Sequence, residues 1–175
     1  MDLLFVCIGN TCRSPMAEAF VRHLAEQRSL PVRVRSAGLR AGDTIAPEAE
    51  AALRSRGVQP VRQDAVQLTE DMVAEAGLVL CATEEHRRVL VEAVPDCAGR
   101  AFVWGDFVAR AANRPAGSLD ELLTSLAPRR RTSGHDLVDP IGKGQQAYDE
   151  AAAAIEGLAR STIDLLRGTL ATDPD

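Results

Sequence analysis

Leu3-Leu4-Phe5-Val6-Cys7-Ile8-Gly9-Asn10-Thr11-Cys12-Arg13-Ser14-Pro15-Met16 passes from a continuous apolar run, through a polar glycine-containing loop, into helical spacing. An apolar run that ends at a polar loop reads as a parallel strand buried on both faces. Beyond the loop, Ser14 suits an N-cap, Pro15 suits the first helical position, and Met16, Phe20 and Leu24 keep one helical face through Gln27. The reading is strand, tight loop, helix.

The same alternation continues outward. Strands are predicted at 32–35, 78–81 and 101–103, and helices at 47–56 (stopped by Gly57), 69–76, 84–93 and 105–112. A segment at 113–135, rich in Pro, Gly, Ser and Arg, interrupts this rhythm and contains a possible short helix at 119–126. Its run Arg129-Arg130-Arg131 reads as solvated charge rather than a substrate-steering patch. An alanine-rich amphipathic helix over 145–170 closes the chain. Alternating elements of these lengths imply an α/β fold with a mostly parallel sheet, which places ligands at the carboxyl ends of strands. One domain is expected over 1–171, with 113–135 as a loop-rich insertion and 172–175 as a tail.

Composition narrows the function. The 175 residues carry a net charge of −5, which disfavours a nucleic-acid partner because phosphate backbones require a basic face. No basic leader and no long apolar run precedes the first strand, so a cytoplasmic setting without membrane attachment is expected. The four cysteines (7, 12, 81, 97) and three histidines (23, 86, 135) do not form a zinc pattern. Of the 20 basic residues only Lys143 is a lysine, so an isolated arginine carries little functional weight.

The loop meets the requirements of phosphate chemistry. Loop amides and a helix N-terminus converge on an anion, and the same field favours a thiolate at Cys7. Arg13 has the planar fork that holds two phosphate oxygens, while Gly9 and Asn10 tolerate the backbone such a loop demands. The plainer reading is a buried strand-end cysteine, a turn and a surface arginine; the strand before and the Ser-Pro helix after favour the chemical one. Cysteine, arginine and amides supply both nucleophile and charge stabilisation, so no metal or cofactor is called for.

The run Phe5-Val6-Cys7-Ile8-Gly9-Asn10-Thr11-Cys12-Arg13-Ser14-Pro15-Met16-Ala17-Glu18 resembles the signature of the low-molecular-weight protein tyrosine phosphatase family. Ser36-Ala37-Gly38, Leu68-Thr69 and Asp139-Pro140 extend the resemblance over nearly the whole chain. It implies a four-stranded parallel sheet between helices, with the phosphate loop after the first strand. It implies Cys7 as nucleophile, Arg13 and residues Ile8, Gly9, Asn10, Thr11, Cys12 and Ser14 as the phosphate cradle, and a cysteinyl-phosphate intermediate. Asp139 then matches the general acid, with Asp136 a secondary candidate and the tail's Asp173 without meaning. Asn10, Ser14 and Ser36 match a loop-supporting network, in which Gln63 stands where relatives often carry a histidine. Phosphorylated proteins are the implied substrates, inorganic phosphate the product, and a monomer is expected.

Thr11 resembles the protein-arginine phosphatase branch, whereas tyrosine-directed members usually carry an aliphatic residue there and aromatics where this chain has Ile141-Gly142. Thr11 and Ile141 are therefore the candidate specificity residues, with phosphoarginine favoured over phosphotyrosine. Two other functions compete. A thioredoxin-coupled arsenate reductase shares this loop, but its downstream cysteine pair lies close together, unlike Cys81 and Cys97. A non-catalytic phosphoprotein-binding module would lack the nucleophile or the acid. Cys12, five residues from Cys7, is a candidate partner for a protective disulfide.

Overall fold

A computed structural model of the chain describes residues 1–112, 114, 117–126 and 134–170. The triple-arginine run and the 172–175 tail lie outside the described residues. Four strands, β1 (Asp2–Cys7), β2 (Arg33–Gly38), β3 (Leu78–Cys81) and β4 (Ala101–Val103), form one parallel sheet in the order β2-β1-β3-β4. The strand order reverses beside β1, so its carboxyl end opens at the crevice where such sheets bind ligands.

Helices α1 (Arg13–Gln27), α2 (Pro47–Arg54), α3 (Glu70–Glu75), α4 (Glu84–Ala93), α5 (Trp104–Ala111), α6 (Leu119–Ser125) and α7 (Gln145–Leu170) supply the connections and the outer layers. Alternation along β1 divides the core. Leu3, Phe5 and Cys7 face the side packed with Met16 and Phe20 of α1 and Ile155 and Ile163 of α7. Leu4 and Val6 face the side packed with Val73, Leu90 and Cys97. Trp104 packs on Phe5 with ring centroids 4.6 Å apart, and its indole N–H donates to Thr162 Oγ1 at 2.8 Å, satisfying the one polar group that this burial would strand. Among the described residues no helix is long and apolar enough to cross a membrane.

The expected α/β fold and its four-stranded parallel sheet are present. Two boundaries differ in ways that matter for the site. The second strand runs over Arg33–Gly38 rather than 32–35, because Ser36, Ala37 and Gly38 continue the ladder opposite Phe5, Val6 and Cys7. A Cβ at Gly38 would meet Ile8 O, Gly9 C and Asn10 N at 2.9 Å each, so the loop backbone lies directly against this residue and only glycine leaves room. Helix α1 begins at Arg13, two residues before the expected start, with Cys12 in the N-cap position.

Candidate active site

Residues Ile8 to Cys12 wrap around the end of β1, and their carbonyls are held outward by the segment that follows β2. Leu39 N donates to Cys7 O (3.0 Å), Arg40 N to Ile8 O (2.8 Å), Gly42 N to Gly9 O (2.9 Å) and Ala46 N to Thr11 O (2.8 Å). The peptides of this loop are trans, so each outward carbonyl turns the next residue's N–H the opposite way. The amides of Ile8, Gly9, Asn10 and Cys12 are thereby directed inward. Asn10 N confirms the geometry by donating to Cys7 Sγ at 3.2 Å, with Asn10 itself in the left-handed region at φ 52°. This concave array of N–H groups at a helix N-terminus is an anion cradle.

Ser14 does not cap α1. Met16 N already bonds to Cys12 O at 3.0 Å, which puts Ser14 inside the first turn and leaves that turn without a side-chain cap. Its hydroxyl instead lies 2.9 Å from Cys7 Sγ and accepts from Asn10 Nδ2 at 2.8 Å. With its acceptor side engaged by Asn10, the hydroxyl has a proton to give, to the sulfur at 2.9 Å or to the more distant Ala37 O at 3.5 Å.

The orientation of the Asn10 amide is unambiguous, because Oδ1 receives two donors, Val66 N and Arg62 Nη2, both at 2.8 Å. Nδ2 must then point to Ser14 and to Ser36 Oγ (2.9 Å). Ser36 also receives Arg62 Nη2 at 2.9 Å and passes its own proton to Glu18 Oε2 at 2.7 Å. A direct ion pair between Arg62 and the buried carboxylate of Glu18 closes the circuit. The position assigned to Gln63 is corrected here: Gln63 is exposed and contributes only its carbonyl, to Ile45 N, while its neighbour Arg62 supports the loop. Sequence reasoning missed Arg62 and saw Glu18 only as a letter of the motif.

Arg13 is 4% exposed and reaches across the mouth of the loop. Its Nη2 lies 2.6 Å from Asp139 Oδ2 and its Nη1 donates to Leu137 O at 3.3 Å. Its Nε–H is buried with no partner among the described residues. The segment carrying Asp139 is tied to the sheet through Leu137 N, which donates to Ala82 O at 2.9 Å. Asp136 accepts from Glu84 N at 2.8 Å, which engages it at the start of α4 rather than at the loop. Asp139 Oδ1 accepts from Ile141 N at 3.2 Å and lies 3.9 Å from Cys12 Sγ. Val138 and Ile141, the exposed large apolar residues of the described chain, flank the carboxylate at 72% and 51% exposure.

Cys12 is buried, and desolvation pushes its thiol up to about 11, with Cys7 adding to the effect. Cys81 and Cys97 lie in the core on the opposite face of the sheet from Cys7, fully buried, with both thiols raised by burial. A buried pair of that kind is not placed as a solvent-reachable relay, which argues against the reductase reading.

A thiol, a buried guanidinium and inward amides at one strand end, with a carboxylate held across the opening, define a cysteine-dependent protein phosphatase. The chain belongs to the low molecular weight phosphotyrosine protein phosphatase family, whose sequence profile matches residues 2–121. It is 31% identical to a protein-arginine-phosphatase of Bacillus subtilis over 170 residues, 95% of this chain and 97% of that one. It is 36% identical to a probable low molecular weight protein-tyrosine-phosphatase, EpsP, of Ralstonia nicotianae over 157 residues, 88% of each chain. Among solved structures, a cysteine-to-serine mutant of the YwlE arginine phosphatase with a phosphorylated active-site serine superposes with a TM-score of 0.81 at 28% identity, covering 99% of this chain and 100% of that one.

Proposed function

We propose that the chain hydrolyses phosphoarginine in proteins in preference to phosphotyrosine, through a phosphate carried on Cys7. The observation that carries the substrate reading is Thr11: its side chain lies beside Gly9 on the cradle, so a hydroxyl stands where aliphatic selectors place only carbon. A hydroxyl there engages a polar guanidine or the attacking water and narrows the space open to a phenol ring. Ile141, in place of an aromatic wall, removes stacking that a phenol ring would use. The phosphorylated serine of the YwlE mutant supports a covalent intermediate at the corresponding side chain.

The chemistry follows in two displacements. In the first, Cys7 Sγ forms a bond to phosphorus while the bond to the leaving nitrogen breaks, and protonated Asp139 gives its proton to that nitrogen. Bound phosphate competes for Arg13, whose fork takes two oxygens as its contact with Asp139 is given up. In the second, water forms the new oxygen–phosphorus bond, Asp139 carboxylate takes its proton, and sulfur departs as a thiolate that receives the Ser14 hydrogen bond. Phosphoprotein and water become protein and inorganic phosphate.

Cys12 is assigned a protective role. When oxidant converts Cys7 to a sulfenic acid, the Cys12 thiol displaces water and closes a disulfide, which thiols reopen. Matched phosphoarginine and phosphotyrosine peptides, assayed on wild type and Thr11→Ile, test the substrate reading. Preference for phosphotyrosine in the wild type would reject it.

A further inference from the structure

We infer that Gly42, outside the cradle, is a specificity-determining positioning residue that sets the rotamer of Thr11. The inference deepens the reading of Thr11 as selector and rests on it for the substrate concerned. Its ground is a contact that only glycine permits. A Cβ at Gly42 would lie 2.8 Å from Thr11 Cγ2, while a Cβ at Gly9 would lie 3.4 Å from Thr11 Oγ1. The threonine is thus held between two glycines, its methyl closest to residue 42, while residue 9 borders both its hydroxyl and its methyl, 3.4 and 3.6 Å from a Cβ there.

Backbone conformation is not the reason for glycine at 42. Gly42 is not among the residues with positive φ, and it is exposed, so alanine is compatible with the chain at that point. The Thr11 methyl is the obstacle. Neither side can retreat through its backbone: Gly42 N is bonded to Gly9 O at 2.9 Å, and Thr11 O is bonded to Ala46 N at 2.8 Å. Gln67 braces the same segment from behind, accepting from Ala41 N at 3.0 Å and donating to Leu39 O at 3.2 Å. An added methyl at 42 therefore moves the threonine side chain. Because χ1 of a β-branched residue moves between discrete wells, relief comes by rotation, which carries the hydroxyl away from its place beside Gly9 on the cradle.

A double-mutant cycle isolates this effect, because Thr11→Ser keeps the hydroxyl and deletes the methyl that Gly42→Ala would strike. kcat/KM is measured with matched phosphoarginine and phosphotyrosine peptides for wild type, Gly42→Ala, Thr11→Ser and the double variant. Gly42→Ala alone is expected to lower kcat/KM for phosphoarginine by roughly tenfold and to shift the ratio toward phosphotyrosine. In the Thr11→Ser background the same change has an effect of about twofold or less, the limit for uncoupled sites. The Thr11 χ1 angle, read from three-bond couplings in methyl-labelled protein, changes in Gly42→Ala. An equal loss in both backgrounds, or an unchanged χ1, overturns the inference. Wild-type preference for phosphotyrosine instead rejects only the substrate reading, since coupling between 42 and 11 is scored on either peptide.

Discussion

Arg62 donates to the side-chain carbonyl of Asn10 at 2.8 Å, and with the equal bond from Val66 N to the same oxygen it sets the direction of the protons between Glu18 and Cys7. Asn10 must offer its N–H groups to Ser14 and Ser36, Ser36 must offer its proton to Glu18, and Ser14 is left to donate to the sulfur. Replacing Arg62 with Met leaves Asn10 Oδ1 with Val66 N alone, takes a donor from Ser36 and leaves Glu18 buried without its cation. The expected loss in kcat is roughly ten- to a hundredfold, the scale of one buried hydrogen-bonding group left unsatisfied. Rapid-quench kinetics locate the defect in the second displacement, with phosphoenzyme accumulating; loss of activity with no accumulation counts against the Ser14 role. Stability also falls, by about 2 kcal/mol given that Arg62 is 22% exposed, and less than additively when Glu18→Gln is combined with it.

Asp139 is paired with Arg13 at 2.6 Å, so in the proposed mechanism substrate phosphate and Asp139 compete for one guanidinium. Asp139→Asn removes the proposed proton donor and the competitor together. Turnover of phosphopeptides is expected to drop by about 10²- to 10³-fold, while p-nitrophenyl phosphate, whose leaving group needs no proton, loses far less. Inorganic phosphate, the product, inhibits the variant at lower concentration than wild type. Equal losses on both substrates would remove Asp139 from the acid role.

Peroxide inactivation separates the two loop cysteines. If Cys12 traps oxidised Cys7 as a disulfide, wild type is expected to recover fully with dithiothreitol, whereas Cys12→Ser passes on to irreversible sulfinic acid. Mass spectrometry of the oxidised protein checks this directly. Unchanged recovery in Cys12→Ser would reduce Cys12 to a packing residue. With its thiol raised to about 11, Cys12 is not itself expected to react with neutral alkylating reagents.

Burial lowers His86 from 6.5 to about 4, with the positive charge of Arg13 acting in the same direction, and Asp136, Asp139 and Glu85 acting against it. The unfolded chain therefore binds a proton in this window that the folded chain does not. Stability contributed at neutral pH is lost as pH falls from about 6.5 to about 4, by about 3 kcal/mol at most. Urea midpoints at pH 7 and pH 4.5 should fall less for His86→Gln than for wild type. Parallel slopes would refute the assignment.

The sequence showed most plainly what local pattern controls. β3, α4, β4 and α7 have the bounds that their apolar runs and helical spacing predict, because burial on two faces or one stripe leaves a direct mark. β2 runs beyond the predicted 32–35 because its last three residues, Ser36-Ala37-Gly38, are small and do not read as a strand; for Gly38 the reason is tertiary, the space needed by the loop backbone. Ser14 reads as a cap because capping is a common role of serine at a helix start, and only the geometry shows its hydroxyl 2.9 Å from Cys7 Sγ. Arg62 was invisible for a compositional reason. In a chain with a single lysine, arginine at any exposed-looking position carries no signal, and its link to Glu18 spans 44 residues.

The central claim is that a threonine hydroxyl in this cradle directs the enzyme to phosphoarginine. Its most direct test is the ratio of kcat/KM for phosphoarginine over phosphotyrosine in one peptide sequence, measured for wild type and Thr11→Ile. The account predicts a ratio above one for wild type and its inversion in the variant. A wild-type ratio below one, or a ratio that Thr11→Ile leaves unmoved, would contradict it.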